Sequence, residues 1–201
     1  MHRDDKNLLQ EGFINHEHLI VLRRGEMALQ PMDDEPAAIS QEVLKVKGKG
    51  RDWECLFFRR QDNSCIIYEH RPLECRLFQC KEPSAIQSIA GRDTLTRFDL
   101  IPEDDPIMDY IRHHEKECPI PEERTFCLAS SPRPEGREAV EELTELILRD
   151  LAIRDDAIKR FDIPLSLELF YFGRPIHTML NAFGLCATDD SGRIELRKKE
   201  R

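Results

Sequence analysis

The sequence predicts an α+β fold, mainly helical, with a small cysteine-rich element of short strands. Three observations lead there. Apolar residues recur at helical spacing through the carboxy-terminal third. Four of the seven cysteines crowd into residues 55–80. Between those cysteines run short aromatic and β-branched stretches bounded by turn residues.

From the amino terminus, Leu8-Leu9, Phe13-Ile14 and Leu19-Ile20-Val21-Leu22 read as short packed helices, with a turn near Gly12. Pro31 and Pro36 bracket an acidic loop, and Val43, Leu44 and Val46 read as a strand. The run Lys45 to Arg51 is basic and punctuated by glycine. It lacks P-loop spacing, so it reads as a solvated hairpin rather than a phosphate contact. Leu56-Phe57-Phe58 and Cys65-Ile66-Ile67-Tyr68 read as strands joined by a turn at Asp62-Asn63-Ser64. Arg71-Pro72 then opens a short helix, because proline suits the first helical turn.

Residues 84–118 read as mostly helical, with loops around Pro102 and Pro106. Prolines 119, 121, 132 and 134 mark the best boundary. The expected division is a cysteine-cluster domain over 1–130 and a helical extension over 131–201, packed on the same domain. In the extension, Val140, Leu143, Ile147 and Leu151 share a helical face, with Glu145 and Arg149 set for an i,i+4 pair. A further helix opens near Pro175, carries Ile176, Met179, Leu180 and Phe183 on one face, and ends at Gly184. Asp189 to Gly192 is a turn, and the charged tail beyond it is expected to fray.

Hydrophobic residues make up 40% and charged residues 34%, which fits a well-solvated globular chain. A net charge of −9 argues against a general nucleic-acid binder, without excluding a local basic patch. No stretch is long and apolar enough for a membrane helix. Met1 to Lys6 lacks the apolar core of a secretory signal, so the expected compartment is the reducing cytoplasm. Disulfides there are usually transient, and seven cysteines cannot all pair within one chain. Metal or redox chemistry is the better expectation.

Cys55, Cys65, Cys75 and Cys80 follow the pattern Cys-x9-Cys-x9-Cys-x4-Cys. Four thiolates can close a shell around zinc or an iron–sulfur cluster, because soft sulfur matches those metals. The spacing matches neither a zinc knuckle nor a ferredoxin run, so buried, inert cysteines beside Leu56, Phe57, Ile66 and Phe78 are the competing reading. Arg71, Arg76 and Lys81 stand close enough in sequence to offset thiolate charge. A helix from Pro72 must end or bend before Cys80 if Cys75 and Cys80 share one metal, since five residues turn about 500°. Lys81-Glu82-Pro83 suits such an ending.

The residues Cys55, Cys65, Tyr68, Arg71, Pro72, Cys75, Arg76 and Cys80 give Cys-x2-Tyr-x2-Arg-Pro-x2-Cys-Arg-x3-Cys after the first cysteine. This segment, residues 53–80, resembles the YkgJ family of zinc- or iron-chelating cysteine-cluster proteins. The resemblance implies that the four cysteines are metal ligands. It departs in one respect: the family begins with a CxxCxxxCC-type motif, and this chain has no cysteine before Cys55. Met1-His2-Arg3-Asp4-Asp5-Lys6 echoes the phrase that follows that motif in similar proteins. The expectation is a chain that begins just downstream of it, which leaves the number of metal sites open.

Among other groups, His114 and Cys118 are four apart and could face one way on a helix as ligands. A capping histidine and a packed cysteine are the favoured alternative. Cys127 could supplement Cys118, but reads better as structural, and Cys186 as buried at a helix exit. His177 reads as a surface or core histidine. No catalytic motif is visible, and whether the chain is an enzyme stays open. The leading expectation is a zinc- or iron–sulfur-binding protein. Alternatives are an iron–sulfur oxidoreductase or protein-modifying enzyme, and a zinc-stabilised module that binds a protein partner.

Overall fold

The computed structural model describes residues 1–29, 34–50, 52–78, 84–190 and 193–199. Helices dominate and the strands are short and antiparallel, as an α+β chain of this composition should give. The chain divides into two units: residues 1–102 with 169–171, and residues 103–168 with 172–201.

The first unit starts with helix α1 (Lys6–Gln10), then strands β1 (Leu19–Leu22), β2 (Met27–Ala28), β3 (Ala37–Ala38) and β4 (Val43–Val46). The expectation of a helix at Leu19–Leu22 is corrected here: the segment is a strand. It pairs antiparallel with β4, Leu19 opposite Val46 and Leu22 opposite Val43. All four side chains are buried, so the run has no alternation to betray it, and its β-branched centre favours the pleat. Phe13-Ile14 is likewise not helical, although Ile14 is fully buried.

Two small hairpins follow. Strands β5 (Gly48–Lys49) and β6 (Glu54–Cys55) form the first, and β7 (Phe58–Arg59) and β8 (Ser64–Cys65) the second. The expected strands at Leu56–Phe58 and Cys65–Tyr68 are thus shorter and shifted. Leu56-Phe57 is the turn between hairpins, and Tyr68–His70 is a turn of 3-10 helix. The basic run does form a hairpin arm. Trp53 and Asn63 take left-handed backbone angles, φ 52° and 53°, at the two hairpin turns. Helix α2 (Leu73–Leu77) starts after Pro72 and α3 is Ser84–Ile89. Residues 90–101 are turns rather than the expected helix, with 3-10 helix at Arg97–Asp99, and the loops expected around Pro102 and Pro106 are present. Arg97, fully buried, ties this stretch to Glu42 (Nε to Oε2, 3.1 Å) and to the Tyr171 carbonyl.

The second unit contains α4 (Ile107–Glu117), α5 (Glu123–Ala129), α6 (Pro134–Phe161) and most of α7 (Leu165–Phe172). It continues through α8 (Ile176–Met179) and strands β9 (Leu185–Asp190) and β10 (Arg193–Lys198). The proline-rich stretch therefore holds a helix. The tail does not fray over β10, which pairs with β9 along its length. Pro134 occupies the first turn of α6, and Asp162 ends it with φ 50°. The core joins Phe126, Leu143, Ile147, Ile176, Leu180 and Leu185. Phe126 stacks on Phe183 at 4.6 Å. Gly184, at φ 69°, turns the chain from helix into β9. Gly136 is needed for a different reason: a Cβ there would lie 2.3 Å from the Ser131 carbonyl oxygen. Arg149 bonds the Glu117 carbonyl oxygen at 3.1 Å. No helix among the described residues is long and apolar enough to cross a membrane.

Candidate metal centre

Three of the four sequence-predicted ligands lie on separate elements of the first unit. Cys55 ends β6 opposite Gly48, and Cys65 ends β8 opposite Phe58. Cys75 lies in the middle of α2. Cys80 and the predicted helix stop at Lys81-Glu82-Pro83 lie outside the described residues. Helix α2 ends at Leu77, before Cys80, as a shared site for Cys75 and Cys80 would need.

Ladder bonds fix the two hairpin cysteines. The Leu56 amide donates to the Lys47 carbonyl at 3.1 Å, and the Ile66 amide to that of Phe57 at 2.9 Å. Lys49 Nζ reaches across to the Phe58 carbonyl at 2.5 Å, joining the two hairpins. Gly48 permits a close approach that no other residue would: a Cβ would lie 2.4 Å from Trp53 Cγ and 2.5 Å from the Trp53 carbonyl oxygen.

Helix α2 is held from the far end of the sequence. Pro72, its N-cap residue, has no side-chain oxygen for the first helical amide. Asp5, fully buried, supplies one: its Oδ1 accepts from the Leu73 amide at 2.7 Å, and its Oδ2 from the His2 amide at 2.8 Å. The His2 ring stands 2.9 Å from Glu74 Oε1 and 2.8 Å from the Arg92 carbonyl. Nothing local in the sequence signals that His2 and Asp5 serve the helix bearing Cys75.

Cys75 senses the other two described thiols. The protein around Cys75 pushes its thiol pKa up by desolvation first, then by the neighbouring Cys55, Glu74, Cys65 and Asp5. The groups that act on Cys75 are two thiols and two carboxylates, and a thiol set is soft enough to fit a thiophilic ion. Cys65 also borders an open cleft of about 420 Å³ with Tyr68 and Arg71, whose guanidinium sits 3.8 Å over the Tyr68 ring. Cys55, Cys65 and Cys75 are all free thiols.

In the second unit, the donor atoms of His114, Cys118 and Asp150 all lie within 4.8 Å of one another. Cys118 caps α4 and is buried, whereas Cys127 is exposed on α5 and Cys186 is half-buried on β9. His177 is half-buried on α8. Asp150 escaped the sequence reading. Its signal was positional: the buried stripe of α6 runs Gly136, Ala139, Leu143, Ile147, Asp150, Arg154, Ala157, so two charges occupy core register. His114 Nε2 lies 2.6 Å from Asp150 Oδ1, and Arg154 Nε 2.9 Å from the same oxygen. The Ile176 amide donates to Asp150 Oδ2 at 3.0 Å, so the carboxylate also caps α8. Arg154 spends its remaining donors on Glu168 and on the carbonyls of Phe172, Gly173 and Arg174. Burial alone would raise the Asp150 pKa; the His114 hydrogen bond and the Arg154 charge outweigh it and hold it at about 2.

Compared with known families, residues 23–90 match the model described as "Putative zinc- or iron-chelating domain", CxxCxxCC. The matched span contains all four predicted ligands, about a third of the chain. No curated protein and no solved structure matches.

Proposed function

We propose that Cys55, Cys65, Cys75 and Cys80 bind one metal centre, on the premise that residues 23–90 match the model of a zinc- or iron-chelating domain. The observation that carries this reading is convergence. The thiols on β6 and β8 both act on the Cys75 thiol of α2, although nine residues lie between each of these cysteines and the next. Burying isolated cysteines would need no such meeting of hairpin ends with a helix pinned by Asp5.

Bound there, zinc or an iron–sulfur centre supplies a thiolate-bound cross-link between the hairpins and α2. The chain's own residues prepare that site. Asp5 and His2 set the pitch of α2, and Lys49 holds the hairpins together. Arg71 and Arg76 stand near in sequence to offset thiolate charge. A second reading, a zinc-stabilised module that docks a protein partner, is favoured by the exposure of Ile66, Tyr68 and Phe78 beside the cysteines. The reducing cytoplasm remains the compartment that suits free thiols.

Anaerobic purification with metal analysis and a visible spectrum tests the reading. Colourless protein with zinc supports the structural module, and brown protein with iron and sulfide supports a cluster. Folded protein with no metal would refute both. Cys75→Ser and Cys80→Ser should each release metal, whereas Cys186→Ser should not.

A further inference from the structure

The second unit holds donor chemistry that the family match does not reach. His114 and Cys118 lie one helical turn apart at the end of α4, and Asp150 meets them from α6. All three are completely buried. One sulfur, one imidazole nitrogen and one carboxylate oxygen within 4.8 Å form a mixed donor set of the kind zinc accepts.

We propose that His114, Cys118 and Asp150 form a second metal site, for a divalent ion of the zinc class, independent of the cysteine cluster. The carboxylate is already oriented. Arg154 and the Ile176 amide hold it, the outer hydrogen bonding that metal-ligating carboxylates use. Charge balances as well. A divalent ion is matched by the Asp150 carboxylate and a Cys118 thiolate, while Arg154 is matched by Glu168 at 3.1 Å. Binding releases the Cys118 thiol proton to solvent, and the ion takes over the short contact between the ring nitrogen and Asp150; the proton that His114 Nε2 shares there passes to Nδ1 of a neutral ring, or to solvent from a charged one.

The competing account is a buried ion-paired network that merely ties α4, α6 and the start of α8 together. Only metal binding makes a thiolate–metal bond at Cys118, so that residue separates the two. The experiment uses the full chain carrying Cys55→Ser, Cys65→Ser, Cys75→Ser and Cys80→Ser, loaded anaerobically with Co²⁺. The expected result is one tightly held cobalt per chain, with thiolate-to-cobalt charge-transfer absorption. Adding Cys118→Ser should abolish that absorption and the bound ion while circular dichroism stays native. A folded quadruple variant that binds no cobalt overturns the proposal. So does an unchanged spectrum after Cys118→Ser, which would point to Cys127 or Cys186. If the quadruple variant fails to fold, Cys118→Ser in the otherwise unaltered chain decides: the metal content must fall by one ion, and unchanged content overturns the proposal. Loss of cluster metal alone leaves this site standing, so the two readings fail separately.

Discussion

Replacing Asp5 by alanine should damage the cysteine cluster from a distance. Its carboxylate is fully buried and accepts two backbone amides, those of Leu73 at 2.7 Å and His2 at 2.8 Å. The first is an N-cap bond, whose loss costs about 1 kcal/mol. The second leaves a buried amide unsatisfied, for about 1–3 kcal/mol more. The sum is about 3 kcal/mol, a large fraction of the stability of a marginal domain. At a urea m-value of about 2 kcal/mol/M, the midpoint of the metal-free protein should fall by about 1.5 M. Because the same bond orients the helix bearing Cys75, zinc affinity measured against a chelating dye should fall about tenfold or more. Asp5→Asn, which keeps one oxygen acceptor, should lose about half as much stability. Asp4→Ala, at an exposed neighbour, should change neither quantity. A shift below about 0.5 kcal/mol for Asp5→Ala would refute the capping argument. Lost stability with unchanged zinc affinity would refute the link to Cys75.

Two further outcomes are expected. Gly48→Ala should cost about 1–3 kcal/mol, because the new methyl would strike the fixed Trp53 carbonyl; the single tryptophan makes its fluorescence the readout, alongside weakened metal binding at Cys55. In metal-stripped protein, the Asp150 carboxylate, with a pKa of about 2 against an ordinary 3.8, is more acidic when folded than when unfolded. It therefore contributes about 2 kcal/mol that is fully present above pH 3.8 and is lost as pH falls through 2, so denaturant titrations across that window should show a slope that Asp150→Asn flattens.

The sequence revealed what local chemistry controls. Val43–Val46 read correctly as a strand, the helix after Pro72 began where proline suits it, and Gly184 ended the last helical stretch. Leu19–Leu22 misled because a strand buried at every position shows no period, and short apolar runs suit either structure. The four sheet partners that settle it, Val43 to Val46, lie more than twenty residues away. Asp150 and Arg154 were readable in principle as charges in the register of a core stripe. Seeing them required choosing the stripe through Ala139 and Leu143 rather than the one through Val140. The service of Asp5 to Leu73 was not readable, since nothing local to either residue names the other.

The nine-residue gaps that made the cysteine spacing look unpromising have a physical consequence. A Cys-x2-Cys knuckle fixes its two sulfurs through one tight loop, so its geometry survives changes elsewhere. Here the gap from Cys55 to Cys65 contains β7 and a whole hairpin turn, and the gap to Cys75 contains a 3-10 turn and the start of α2. No local loop relates one thiol to the next. Their relation depends instead on the pairing of Gly48 with Cys55 and of Phe58 with Cys65, and on the Asp5 bond to α2. Metal affinity in such a site is coupled to folding of the surrounding unit, because the unfolded chain brings only Cys75 and Cys80 within local reach of one ion and leaves Cys55 and Cys65 apart. Mutations in this scaffold should therefore weaken metal binding as surely as loss of a sulfur, and metal should in turn stabilise the first unit against urea far more than it would a knuckle-type site of equal affinity for preformed ligands.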